Sequence, residues 1–418
     1  MNKKLAFSLL FPLVLAACGG SSDDDDGDSA PTTPPPAQPE PAPVDAITQA
    51  SQATASALGL APISGNDESV QVYDVIADIG DTWQLSFNTR TGAFSLKVIY
   101  SAYGLTDATG TFTHVTSGSF STFTGAGGAF TLLVDHRTRT ISGTMKVGEQ
   151  TASVTGSSYS MPADLAVFAG TYAGLLNSRM QPGGDIPPEQ AGISALPGTL
   201  LLRTDGTGAM CVLGQVTAEG ECGQPGGGEG SPTMPGTPVQ LAWNAADGQV
   251  HLRTPQIADS GPVDLGIVRV QAGDRGAILT TDVPLSSATG SPVTGTTYFV
   301  KQQALQGTEM NGSWTCSGGG LPSDTLVADA PTIRITSAEG ETVSAQLYYN
   351  GLPIDSGEPG GEPVTAPVFN GFAGTVSEQD ASVRMYVPMS SSLLVSMSAG
   401  LSAGTLSVHL SICHPAVN

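Results

Sequence analysis

A chain of 418 residues is long enough for two or three domains with sizeable cores. Charged residues make up only 12%, and 37 acids outnumber 15 bases, a formal charge of −22 at pH 7. That balance argues against binding nucleic acid or anionic lipid through charge, and 53 glycines with 30 prolines favour turns and strands over long helices.

Residues 1–17 have the three parts of a secretory signal: Lys3 and Lys4, an apolar core from Leu5 to Leu15, then the small residues Ala16 and Ala17. The apolar run is too short to cross a membrane, which takes about 20 residues as a helix. Leu15-Ala16-Ala17-Cys18 resembles the lipobox of bacterial lipoproteins. The resemblance implies cleavage between Ala17 and Cys18, a diacylglycerol on the Cys18 sulfur and acylation of the new amine. Several long chains anchor a protein almost irreversibly, at about 0.8 kcal/mol per buried methylene. The alternative is an ordinary signal peptide with a chance cysteine. Gly19, where an Asp would signal inner-membrane retention in that family, implies passage to the outer membrane, on its periplasmic or its outer face. Loss of Lys3 and Lys4 takes the bases from 15 to 13 against 37 acids.

From Gly19 to Pro43 the chain is acidic and then proline-rich, with almost nothing apolar to offset ordering entropy. It is expected to be a disordered tether, 18–44 with the lipidated cysteine, reaching up to roughly 80 Å. The Asp23 to Asp26 run lacks the Gly and Glu spacing of a calcium loop and reads as solvated charge. One short helix should follow, capped by Asp45, ended by Gly59, with Ile47, Ala50, Thr54 and Leu58 on one face against the first strands.

From Val70 the apolar period changes to two. Trp83, Leu85 and Phe87 turn through Thr89–Gly92 into Phe94, Leu96 and Val98, and Phe130, Leu132 and Val134 turn into Ile141 and Met145. The rhythm continues through Leu200 and Leu202, Val239 and Leu241, Ile333 and Ile335, to Leu406, Val408, Leu410 and Ile412. This is the signature of an all-β chain built of antiparallel meanders, as sandwiches or small up-and-down barrels. Gly170-Thr171-Tyr172 before Thr199–Leu202, and Gly312-Ser313-Trp314 before Thr332–Ile335, form a faint repeat. With boundaries near Ser160 and Gln306 it suggests three β domains, 45–160, 161–306 and 307–418. Gln181–Pro197, Gly223–Pro238 and Asp355–Pro363 read as long loops able to carry binding.

Phe87-Asn88 to Gly92-Ala93-Phe94-Ser95, Ser101–Leu105, Ala169–Tyr172 and Asp205-Gly206-Thr207 up to Cys211 resemble a group of β-rich lipoproteins from proteobacteria, over residues 80–225. That group has no settled activity, so the resemblance implies architecture and address alone. The pair Phe130 to Met145 is similar to hairpins of transferrin-binding-type lipoprotein barrels, in a pattern too generic to carry function over.

Besides Cys18 there are four cysteines, an even number that suggests two disulfides in an oxidising compartment. Three connectivities are open. Cys211–Cys222 with Cys316–Cys413 is favoured because each pair stays within one candidate domain, contributing roughly 3 and 4.7 kcal/mol in the loop-entropy picture. Zinc-type spacing is missing.

Catalytic patterns fail on context. Gly400-Leu401-Ser402-Ala403-Gly404 matches a nucleophile elbow, but a strand follows where a helix is needed and no acid lies downstream. His409 shares a strand face with Ser411 and Cys413, while His414 points the other way, and the histidines read as solvent-facing or in loops. Asp135-His136 are neighbours that point apart on a strand. Gly226–Gly230 lacks the lysine and helix of a phosphate loop. The expectation is a non-enzymatic, outer-membrane-anchored lipoprotein without a cofactor or metal. It would bind a protein or glycan partner or contribute to envelope interactions, and its membrane contact would be the N-terminal lipid. An anchored hydrolase with a dispersed site and an envelope spacer are the alternatives.

Overall fold

The computed structural model describes residues 44–63, 69–147, 150–180, 193–223, 233–255, 262–286, 293–318, 321–351, 353–354, 364–365, 370–377, 382–402 and 405–417. Ala17, Cys18, the tether, Asp23–Asp26, Gly226–Gly230 and Asp355–Pro363 lie outside them. Among the described residues no helix is long and apolar enough to cross a membrane.

The chain is mostly antiparallel β. Eight strands between Val70–Ala77 and Gln150–Ser157 follow one another around a closed barrel, the last pairing with the first at Val75↔Gly156. A second closed barrel of eight runs from Gly170–Met180 to Val293–Lys301, closing at Leu175↔Tyr298. The remaining strands form a nine-stranded sheet whose two edges are Thr342–Gln346 and Tyr348–Tyr349. Only Leu347 separates those edges in sequence. One half pairs with Thr332–Thr336 and the other with Ala373–Ser377, so the run closes a third ring. Barrels remove the exposed edges that make open sheets prone to aggregate.

The predicted hairpins are present, Asp81–Asn88 with Ala93–Tyr100 and Phe130–Asp135 with Thr140–Val147. The first barrel is filled by rings: the Phe87 centroid lies 4.9 Å from Phe123, 5.2 Å from Phe112 and 5.7 Å from Phe130. Its apolar side chains point inward, the reverse of a membrane-spanning barrel's lipid-facing band.

The repeat has a structural cause in part. Tyr172 donates its hydroxyl to the Phe168 carbonyl at 2.8 Å, and Trp314 donates its indole N–H to the Met310 carbonyl, also at 2.8 Å. Each plugs its barrel from the first strand and reaches four residues back. The rest of the match does not correspond: Leu200 lies on the second strand of its barrel, whereas Ile333 lies on the third strand of its own. An alternating apolar pair suits any strand, but the aromatic plug suits only one.

The helix, Ala46–Ala57, is capped by Asp45, whose carboxylate accepts from the Thr48 amide at 3.0 Å, and Gly59 follows at φ +63°. Its buried face matches expectation only at Leu58, which packs into the second barrel's core. Within the helix Ser51 and Ala55 face inward, and Ser51 donates to the Ala272 carbonyl at 2.7 Å, so small side chains bring the helix against the second barrel and not the first strands. The predicted loop Gln181–Pro197 is also shorter, because Ile193–Pro197 already pairs with Leu175–Arg179.

Residues Val44–Asn418 form one compact unit. Leu175, Ile278, Tyr298 and Val300 on the outside of the second barrel share a core with Met385, Val387, Val395, Leu410 and Ile412 of the third. The first barrel joins through polar groups: Asp282 bridges Thr82 and the Ile267 amide, Ser157 donates to the Val270 carbonyl, and Ser392 donates to Asp135.

Candidate functional site

Among the described residues, chambers open inside the second and the third barrel. In the second barrel the inward positions run from large to small along the axis. Tyr172, Leu200, Leu279 and Phe299 fill one end. Two residues further along the same faces stand Thr281 and Thr297, hydrogen-bonded to each other across the strands, with Ser178 beyond Leu176. Short side chains leave volume, and a cavity of about 240 Å³ opens there. Leu176, Leu196, Met210, Val212, Leu252 and Leu265 supply its apolar wall, and Asn177, Ser178, Thr281 and Thr297 its polar residues. An eight-stranded barrel is just wide enough either to be filled or to hold one small ligand. This one is filled at one end and hollow at the other.

Cys211 and Cys222 are disulfide-bonded outside this barrel, tying the strand Thr207–Val212 to the short strand Glu221–Gly223. The bond holds a three-stranded flap of Gln215–Val216, Glu221–Gly223 and Met234–Pro235 against the wall.

Beside the same barrel His251 is held by Asp264 at 2.7 Å through Nδ1 and by Asp247 at 2.8 Å through Nε2. Burial opposes the imidazolium, but the hydrogen bonds and charges of Asp264 and Asp247 outweigh it and raise the pKa. With both nitrogens engaged, His251 clamps two strands and has none left for acid–base chemistry.

The third barrel has a polar chamber of about 250 Å³. Register explains its wall. Arg384 pairs with Ser398, which pairs with His409, so three polar side chains stand in one row across neighbouring strands. The next row inward holds Tyr386, Ser396 and Ser411, and the Cys316–Cys413 disulfide, joining the first and last strands, lies at the chamber floor. Asp324 lines the chamber from another strand. Burial raises its pKa, offset in part by the charges of Arg384 and His409. His409 is not solvent-facing as the sequence suggests. It is half-buried, burial and the nearby Arg384 charge lower its pKa, and its Nδ1 is buried without a hydrogen-bond partner.

Ser398, His409 and Asp324 are the residue types of a nucleophilic triad, but among the described residues no hydrogen bond joins His409 to a serine or to Asp324. The wall can hold charge and donate hydrogen bonds. Gly400, Leu401 and Ser402 end a strand and Thr405 begins the next, where an elbow would need a helix; Ala403 and Gly404 lie outside the described residues. Asp135 and His136 do point apart: Asp135 takes the Arg137 guanidinium at 2.6 Å, while His136 meets the Ser121 hydroxyl at 2.8 Å. Among the described residues no cluster of metal-ligating side chains is present.

Comparison with protein-family models, curated proteins and solved structures gives no match. The reading of function therefore stands on these residues.

Proposed function

We propose that this chain is a lipid-anchored protein of the cell envelope that works by binding, and that the hollow end of its second barrel takes a small apolar ligand. The observation that carries the ligand reading is the cavity of about 240 Å³, lined mostly by aliphatic side chains, with Asn177, Ser178, Thr281 and Thr297 as its polar residues. Ligand sites are mostly apolar concavities with a few placed polar groups, and this one is at the small end of their range. The Thr281–Thr297 pair and Ser178 would orient a single polar head, while the leucines and Met210 cover an acyl or aromatic body. The anchor reading rests on Leu15-Ala16-Ala17-Cys18, and Gly19 after it supports the outer membrane as the address.

Two experiments test the two halves. Cys18→Ala should release the protein from membranes, and persistent tight association would refute the anchor. For the cavity, the uncharged dye 1-N-phenylnaphthylamine should bind the purified protein at one site and be displaced by short-chain fatty alcohols. Ser178→Trp, which places an indole in the hollow, should abolish that binding without lowering the thermal midpoint. Unchanged dye binding in the variant would refute the site.

A further inference from the structure

The polar chamber of the third barrel is separate from the apolar cavity and is built for different chemistry. Arg384, Ser398 and His409 present donors in one lateral row, fixed by consecutive cross-strand pairing. Among the described residues no hydrogen bond or ion pair engages the Arg384 guanidinium, and the His409 Nδ1 is likewise unpartnered. A guanidinium fork with unused donors in a half-enclosed wall matches a carboxylate in bidentate geometry. Asp324 lines the same chamber and Glu339 stands exposed at it, so the site carries a second, acidic pole. A simple anion would be repelled by that pole, and a simple cation by Arg384. A molecule with both charges satisfies both.

We infer that this chamber binds a small zwitterion of the α-amino-acid class, its carboxylate on Arg384 with Ser398 and its ammonium towards Asp324. The disulfide Cys316–Cys413 and the buried Leu326 close the inner end, so the ligand's side chain has room for only a few heavy atoms. Burial raises the Asp324 pKa, and an ammonium beside it would favour the charged form.

The test is calorimetric titration of the purified full chain with L-alanine, L-serine and L-glutamine, alongside sodium acetate and ethylamine hydrochloride as half-ligands. The expected result is saturable one-site binding of at least one amino acid, with acetate and ethylamine each weaker by about tenfold or more. Arg384→Gln and Asp324→Asn should each weaken that binding by at least about tenfold, the loss of one charged contact. Both should leave dye binding in the second barrel unchanged, which shows that the variants are folded. Should either fail to fold, Ser398→Val, which places methyl groups between the two poles, should weaken binding by a similar factor. Absence of saturable amino-acid binding, acetate binding as tightly as the amino acids, or full affinity in folded variants would each overturn the inference.

Discussion

Replacing Asp282 by Asn should remove a pH-dependent loss of stability at the junction of the first two barrels. Asp282 is almost completely buried, accepts the Ile267 amide on one oxygen and meets the Thr82 hydroxyl of the first barrel on the other. Burial pushes its pKa up to about 7, although Thr82, Ile267, Arg269 and His251 all favour the charged form. The folded value lies above the ordinary 3.8, so the folded state holds an extra proton between those limits. Stability from this group is therefore full below about pH 4 and is lost as pH rises through about 7. An interval of roughly three pH units corresponds to about 4 kcal/mol. Asn is isosteric, keeps the carbonyl for Ile267 and can donate to the Thr82 oxygen, and it does not ionise. Urea unfolding of wild type and Asp282→Asn from pH 4 to pH 8 should show the variant gaining on wild type by up to about 4 kcal/mol over that range. His251 titrates in both proteins, so the comparison largely cancels it. Stability curves that run parallel across the range would refute the assignment of a buried, protonated Asp282.

Other expectations follow from neighbouring geometry. His251→Gln should be destabilised by about 1.5–3 kcal/mol at pH 5.5, where the imidazolium holds two carboxylates, and the difference should shrink as pH rises through the raised pKa of His251; urea titrations at both ends of the range measure it. Gly266→Ala should fail to give soluble folded protein, because Gly266 sits at φ +125° and an added Cβ would overlap the Asp282 carbonyl oxygen; its circular dichroism and solubility are the readout. The double variant Cys316→Ser with Cys413→Ser should lose more stability than the pair at Cys211 and Cys222, roughly 4.7 against 3 kcal/mol, since the bonds span 97 and 11 residues. Equal losses in denaturant unfolding would count against the loop-entropy account.

How much of this was legible in the sequence depended on which physical term carried the signal. Alternation over Trp83–Phe87 and Phe130–Val134 marked hairpins correctly, because strand geometry puts every second side chain on one face regardless of what covers it. The cap at Asp45 and stop at Gly59 were equally local. What alternation does not encode is which face meets the interior. Along Leu406 to Ile412 the apolar set looked like a barrel lining and the polar set like a wet surface. In the structure Leu410 and Ile412 cover the outside of the second barrel, and His409 and Ser411 look into the third. A tertiary contact between barrels inverted the assignment, and no residue within the strand reports it. The helix shows the same limit on a smaller scale, since the Ala272 carbonyl that Ser51 reaches lies 221 residues away.

The three barrels share a topology and differ in what their inward positions do, and this separates scaffold from function. The first spends its interior on packing: Phe87 lies within 4.9–6.3 Å of five other rings. Such an interior contributes burial energy through close ring contacts. The second packs one end with Tyr172 and Phe299 and thins to Thr281, Thr297 and Ser178 at the other, giving up dispersion contacts for a hollow. The third keeps an apolar end around Trp314 and Leu394 and places an arginine, a histidine and an aspartate in the rest. Leaving the buried His409 Nδ1 without a partner incurs a desolvation penalty that folding alone does not require. Because Met385 and Leu410 beside them already bind this barrel to the second, the polar row is not needed to hold the assembly together. Stability is supplied by the outward faces, which leaves the inward row free to serve a ligand.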